Sequence, residues 1–160
     1  MKLYVLRHGI AEDAAPGQSD SDRRLTPEGC DKLQTTLATV ARAGVRASLI
    51  ISSPLVRAVQ SAEILAGELE YNGEFLRSAA LAPEARVSEV WSEIRTHKDE
   101  SNLWLASHNP LCSQLAGYLL GVPGLSVQFG KGTILCVEFD RFGPEPRGVL
   151  RWMLTARLSA

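Results

Sequence analysis

The chain has 160 residues, 45% of them hydrophobic, with 17 Lys plus Arg against 18 Asp plus Glu for a formal net charge of −1. That length suits one domain, spanning 1–160, with a real core, because domains of this size hide about two-thirds of their unfolded surface. The near-neutral balance excludes the broad basic face that nucleic acid requires, so any anion site must be local.

The first apolar run, Lys2-Leu3-Tyr4-Val5-Leu6, reads as a strand buried on both faces and closes on Arg7-His8-Gly9. It is too short for a signal-peptide core, and no later apolar run is long enough to cross a bilayer, so a soluble protein without a membrane partner is expected. Residues 11–24, rich in Asp, Ser and Gly, form a polar loop that could act as a flap. Thr26-Pro27 then marks a helix start, a capping residue before proline at the first helical position; the helix runs from 27 toward 42 and stops near Gly44. A strand at 48–51 leads to a second such start, Ser53-Pro54, and a helix toward Leu69. Val87, Val90, Trp91 and Ile94 at helical spacing predict an amphipathic helix over 85–96. After a strand at 103–106, Asn109-Pro110 opens a helix to Leu120, ended by Gly121 and Pro123. Strands at 132–139 and 149–155, around the turn Arg141-Phe142-Gly143-Pro144, finish the chain as a hairpin. This alternation predicts an α/β fold, a three-layer α/β/α sandwich with a mixed, mostly parallel sheet. Cys30, Cys112 and Cys136, odd in number and set in apolar surroundings, predict reduced core thiols and a cytoplasmic location.

Ligands of open α/β sheets gather outside the C-terminal ends of the parallel strands, where His8, Ser53 and His108 all fall. A phosphoryl group in transit carries charge on three equatorial oxygens, and a protein's task is to position and neutralise it. Arginine forks bidentately onto phosphate, so Arg7 and Arg57, from separate strand ends, can grip the group from two sides. Arg57 lies in the first turn of its helix, where free N–H groups also favour an anion. His8 is the nucleophile candidate: a neutral imidazole, with its other nitrogen held by an acceptor, can attack phosphorus to form a phosphohistidine. His108 can donate to the phosphoryl oxygens.

Singly, these residues have bland readings: Arg7 a surface cation, His108 a helix-end histidine, Ser53 and Asn109 simple caps. Arg57 resists that reading, because Leu55, Val56, Ala58 and Val59 around it are apolar. His97, in a charged stretch, reads as solvent-facing. Trp91, Trp104 and Trp152 read as packing residues. No clustered carboxylates or paired histidine spacing suggests a metal, and no cofactor is implied.

Four motifs occur in order: Leu6-Arg7-His8-Gly9, Leu25-Thr26-Pro27-Glu28-Gly29, Ser52-Ser53-Pro54-Leu55-Val56-Arg57-Ala58 and Ser107-His108-Asn109-Pro110-Leu111. With them the chain resembles the histidine phosphatase superfamily, the phosphoglycerate-mutase-like group, and within it the small bacterial phosphohistidine phosphatases of the SixA type. The resemblance implies that His8 is the phosphorylated nucleophile and that Arg7, Arg57 and His108 form the phosphate pocket. It places polar loop residues at Asp20 and Arg23, with Asp20 favoured as acid or positioning group, Arg23 in the phosphate-binding set, and Glu84 the weaker candidate acid. The reading that results is a metal-independent hydrolase that releases inorganic phosphate from histidine-phosphorylated signalling or phosphotransfer proteins through a covalent intermediate on His8. A phosphatase of small phosphate esters or pyrophosphates and a non-catalytic phosphate-binding module are the alternatives. Two features favour phosphohistidine: its leaving imidazole can be protonated on its own ring and needs little help from an enzyme acid, and the short segment between Ser78 and Leu103 offers little lid over a small metabolite.

Overall fold

The computed structural model describes residues 1–159. Six strands, β1 (Lys2–Arg7), β2 (Leu49–Ser52), β3 (Phe75–Arg77), β4 (Asn102–Ser107), β5 (Ile134–Glu138) and β6 (Val149–Leu154), form one sheet in the order β3-β2-β4-β1-β5-β6. β1, β2, β3 and β4 pair in parallel, and β5 runs antiparallel to both its neighbours. The mixed sheet matches the expectation, with one addition: β3 is an edge strand that carries no sequence signal, because only Phe75 of its three residues is even partly buried. Among the described residues no helix is long and apolar enough to cross a membrane.

Four helices, α1 (Pro27–Arg42), α2 (Val56–Glu68), α3 (Val87–Thr96) and α4 (Leu111–Leu119), cover the two faces. Side chains alternate across a strand, so β1 sends Leu3 and Val5 into one core, with Trp91 and Ile94 of α3 and Leu115 of α4. It sends Tyr4 and Leu6 into the other, with Leu33 and Leu37 of α1 and Leu65 of α2. Tyr4 stacks on Trp104 at 4.4 Å between ring centres, while Trp91 packs on Phe139 and Phe142, so these tryptophans serve packing as expected. Burying each such Leu or Val fully stabilises the fold by about 1.5–3 kcal/mol.

Thr26 caps α1, accepting the Gly29 N–H at 2.9 Å with Pro27 at the first helical position. The other two expected caps are displaced. α2 begins at Val56, two residues beyond Pro54, because Leu55 is still extended, its N–H donating to the Ser53 hydroxyl at 3.3 Å, and that hydroxyl reaches His108 instead of the first turn of the helix. α4 begins at Leu111 after a cis Asn109–Pro110 peptide, and Asn109 reaches forward with Oδ1 to accept the Ser113 N–H and hydroxyl. His97 is not free in solvent: it ends α3 half-buried, with Nε2 3.3 Å from Glu93.

The parallel register decides where function can sit. Arg7 lies opposite Ser107, and both Leu6 and Ser52 lie opposite Ala106. β1 and β4 therefore end level, with β2 one residue shorter, and the next residue of each is His8, His108 and Ser53 respectively. With β4 in the middle, His108 stands between Ser53 and His8.

Candidate active site

Both histidines and Arg57 are recessed, His8 at 6%, Arg57 at 5% and His108 at 1% relative exposure. The rings of His8 and His108 are 5.0 Å apart and tilted by 57°. His8 Nδ1 lies 2.7 Å from the Gly9 carbonyl, an acceptor only, so Nδ1 carries the proton. Nε2 is left with its lone pair, and the Arg57 Nε–H points at it from 3.3 Å. The tautomer a nucleophile needs is thus fixed from both sides. Burial, against the opposing pull of the Gly9 carbonyl and reinforced by Arg57, Arg7 and Lys131, pushes the His8 imidazole down to about 4. His108 is pushed down to about 3, again chiefly by burial and then by His8 and Arg57.

The backbone around His8 is tied on every side. Its N–H donates to Ser107 O, the Gly132 N–H donates to the carbonyls of Arg7 and His8, and the Gly9 N–H donates to Ser61 Oγ. Ser61, wholly buried in α2, donates in turn to Arg57 O at 2.7 Å, linking the nucleophile loop to the helix that carries Arg57. Gly29 lies so close beneath Ile10 that an added Cβ would collide with the Ile10 carbonyl oxygen. Gly132 adopts φ +75°, a left-handed conformation glycine takes without strain, and this places Lys131 at the rim.

Arg7 Nη1 donates to Phe129 O at 2.8 Å, and Asn109 Nδ2 donates to the same carbonyl at 3.0 Å. That leaves the buried Arg7 Nε–H with no protein partner among the described residues. Arg57 Nη1 and Nη2 bind the Asp20 carbonyl at 2.7 Å and its carboxylate at 3.0 Å, and Arg23 Nη1 takes the other carboxylate oxygen at 2.8 Å. The two guanidiniums, Arg23 first, hold the Asp20 carboxyl below the usual carboxylate range despite the opposing effect of burial. Asp20 sits on a 3-10 turn, Asp20–Asp22, within the 11–24 loop, which the Glu12 N–H to Arg24 O bond and the Ala11–Leu25 bridge close at its base.

The structure therefore brings His8, His108, Arg7, Arg57, Asp20 and Arg23 to one sheet edge. Glu84 is exposed and takes part in none of these contacts. Ser53, read from sequence as a cap, has its hydroxyl 2.8 Å from His108 Nε2 and orients that ring; only its position at a strand end could have flagged it. Lys131, Ser61 and the Phe129 carbonyl were also missed. Burial raises the Cys112 thiol to about 12 and the Cys136 thiol to about 11, which leaves neither a thiolate nucleophile near neutrality.

A family model described as the histidine phosphatase superfamily, branch 1, matches residues 3–82. An uncharacterised protein of Picosynechococcus sp. is 34% identical over 111 residues, covering 69% of this chain and 67% of that protein. The phosphohistidine phosphatase SixA of Escherichia coli is 26% identical over 158 residues, covering 97% of this chain and 94% of its own. A solved structure of the protein histidine phosphatase SixA complexed with tungstate superposes with a TM-score of 0.87 at 26% identity, covering 99% of both chains.

Proposed function

The chain belongs to the histidine phosphatase superfamily, and we propose that this phosphatase removes phosphate from histidine-phosphorylated signalling or phosphotransfer proteins. The observation that carries the reading is the state of His8: protonated at Nδ1 by its bond to Gly9 O, neutral, and presenting an Nε2 lone pair to Arg57 in a recess shared with His108. The overall likeness to SixA supports the choice of substrate.

In the proposed reaction His8 Nε2 attacks phosphorus in line as the P–N bond to the carrier imidazole breaks. That imidazole leaves neutral once its second ring nitrogen, unprotonated in the neutral phosphorylated ring, has taken a proton from water, and the electron pair of the P–N bond stays with the departing nitrogen. The Arg57 Nε–H, which faces the Nε2 lone pair beforehand, turns to a phosphoryl oxygen as the lone pair is consumed; Arg7, with its unpartnered Nε–H, and His108 receive the other oxygens. Water then attacks the phosphorus; the P–Nε2 bond breaks with its electron pair returning to Nε2, the protons of the water stay with the departing inorganic phosphate, and His8 regains its neutral Nδ1–H form. Asp20 acts as a positioning group, since its carboxylate is held ionised between two guanidiniums and bridges Arg23 to Arg57. The three free cysteines fit action in a reducing cytoplasm.

The test is phosphate release from a histidine-phosphorylated carrier protein beside a panel of small phosphate esters, with chelator present and His8→Ala as control. Preferential release from the carrier that vanishes in the variant is expected. Preference for an ester would replace this substrate class by small phosphate esters, and no His8-dependent turnover anywhere would leave a phosphate-binding module.

A further inference from the structure

A phosphohistidine side chain is short and His8 is recessed, so the backbone that presents the substrate must press against the rim of the pocket. Beside the nucleophile loop the surface is concave. A cavity of about 660 Å³ opens beside the nucleophile loop, lined by Gly9, Ile10, Leu33, Lys32, Lys131 and Arg157 among others. Both its walls are anchored. Gly132 hangs the Lys131 turn from the Arg7 and His8 carbonyls, while residues 156–159 fold back onto α1, with Ser159 Oγ 2.8 Å from the Thr36 hydroxyl and donating to Ala156 O. The floor is apolar, and the charged lining is Lys32, Lys131 and Arg157 against Asp31 alone. Lys32 has an exposed partner in Glu28, but among the described residues neither Lys131 nor Arg157 has a carboxylate within ion-pair distance.

We propose that this groove is where the phosphohistidine-bearing protein docks, laying an acidic, apolar-faced segment beside its phosphohistidine onto the floor and against Lys32, Lys131 and Arg157. The proposal rests on the phosphohistidine reading above. Charge complementarity selects the occupant: the groove carries an excess of cations on a chain whose net charge is −1, which suits a local acidic patch rather than a long polyanion. The groove reaches the nucleophile loop at Gly9, the residue after His8, and at Lys131, whose charge acts on His8, so a segment seated there lies next to the residue being dephosphorylated.

The test is the double variant Lys32→Glu with Arg157→Glu, leaving Lys131 in place because its charge reaches His8. Its kcat/KM on a histidine-phosphorylated phosphotransfer protein should fall about tenfold or more through KM, and should lose the decline with added salt that steering by opposite charge produces. Turnover of free phosphohistidine should stay within about twofold, which also shows that the variant is folded. Unchanged kinetics on the carrier, or an equal loss on both substrates, would overturn the proposal. So would carrier turnover that is kept while the sedimentation coefficient falls, since the groove would then belong to a second copy of this chain. A wild-type enzyme that ignores the carrier sinks the substrate reading itself, an outcome visible before any variant is made.

Discussion

Two buried neutral imidazoles make the folded state sensitive to mild acid. His8 and His108 fall to about 4 and about 3 from 6.5. Between pH 6.5 and those values the unfolded chain therefore binds more protons than the folded one. The contribution is fully present above about pH 6.5 and is lost as pH falls through the window. From pH 6.5 to 5.5 each histidine removes about 1 kcal/mol, so the pair removes about 2 kcal/mol, a large share of the roughly 5–15 kcal/mol that holds a domain together. Urea unfolding followed by tryptophan fluorescence at fixed ionic strength, in phosphate-free buffer, reads this directly. His8→Asn keeps a donor for the Gly9 carbonyl but cannot titrate, so the loss should shrink to about 1 kcal/mol. Because the rings are 5.0 Å apart, the protons of the wild type go on in coupled steps, and the variant should show a single one. A stability flat from pH 6.5 to 5.5, or an equal fall in His8→Asn, would refute the account of a nucleophile kept neutral by burial.

Arg57→Lys keeps the charge but loses the Nε–H and the fork that spans His8 and Asp20, so kcat/KM on the carrier should fall about 100-fold in steady-state phosphate release. Asp20→Asn keeps the shape but loses the charge that bridges Arg23 to Arg57, so turnover of a phosphate ester and of phosphohistidine should fall by a similar several-fold when both are assayed on one preparation; a loss confined to the ester would make Asp20 an acid instead of a positioning group. Ser53→Ala leaves buried His108 Nε2 without its partner, costing about 1–3 kcal/mol by denaturant titration and lowering phosphate release several-fold. Gly29→Ala forces the Ile10 carbonyl away from α1, so thermal unfolding should show about 1–3 kcal/mol of destabilisation together with lost activity, as Ile10 lies two residues from His8.

The parts of this molecule legible in the sequence are those where one chemical pattern has one structural meaning. Residues 3–6 and 103–106 are short runs that are apolar on both faces, which suits a strand covered by helices on each side, and the polar residue ending each run then sits at the sheet edge. His8 and His108 are accessible by that route, and Arg57 by the apolar Leu55, Val56, Ala58 and Val59 that surround it in the first turn of α2. Where a residue type has two uses, sequence could not choose between them. Ser53 before proline fits a cap, yet its hydroxyl orients His108 and the helix starts at Val56 instead. β3 escaped for another reason: at an edge, with Leu76 and Arg77 exposed, it lacks the alternation that burial on one face would impose. Backbone groups are the last case. The Phe129 carbonyl joins Arg7 to Asn109, and the Gly9 carbonyl sets the His8 tautomer, but every residue has a carbonyl and none of this is written in side-chain identity. The choice of nucleophile is therefore visible in the sequence, whereas the bond that gives its Nε2 a free lone pair depends on a loop conformation held by the Ser107 carbonyl, the Gly132 N–H and the Ser61 hydroxyl.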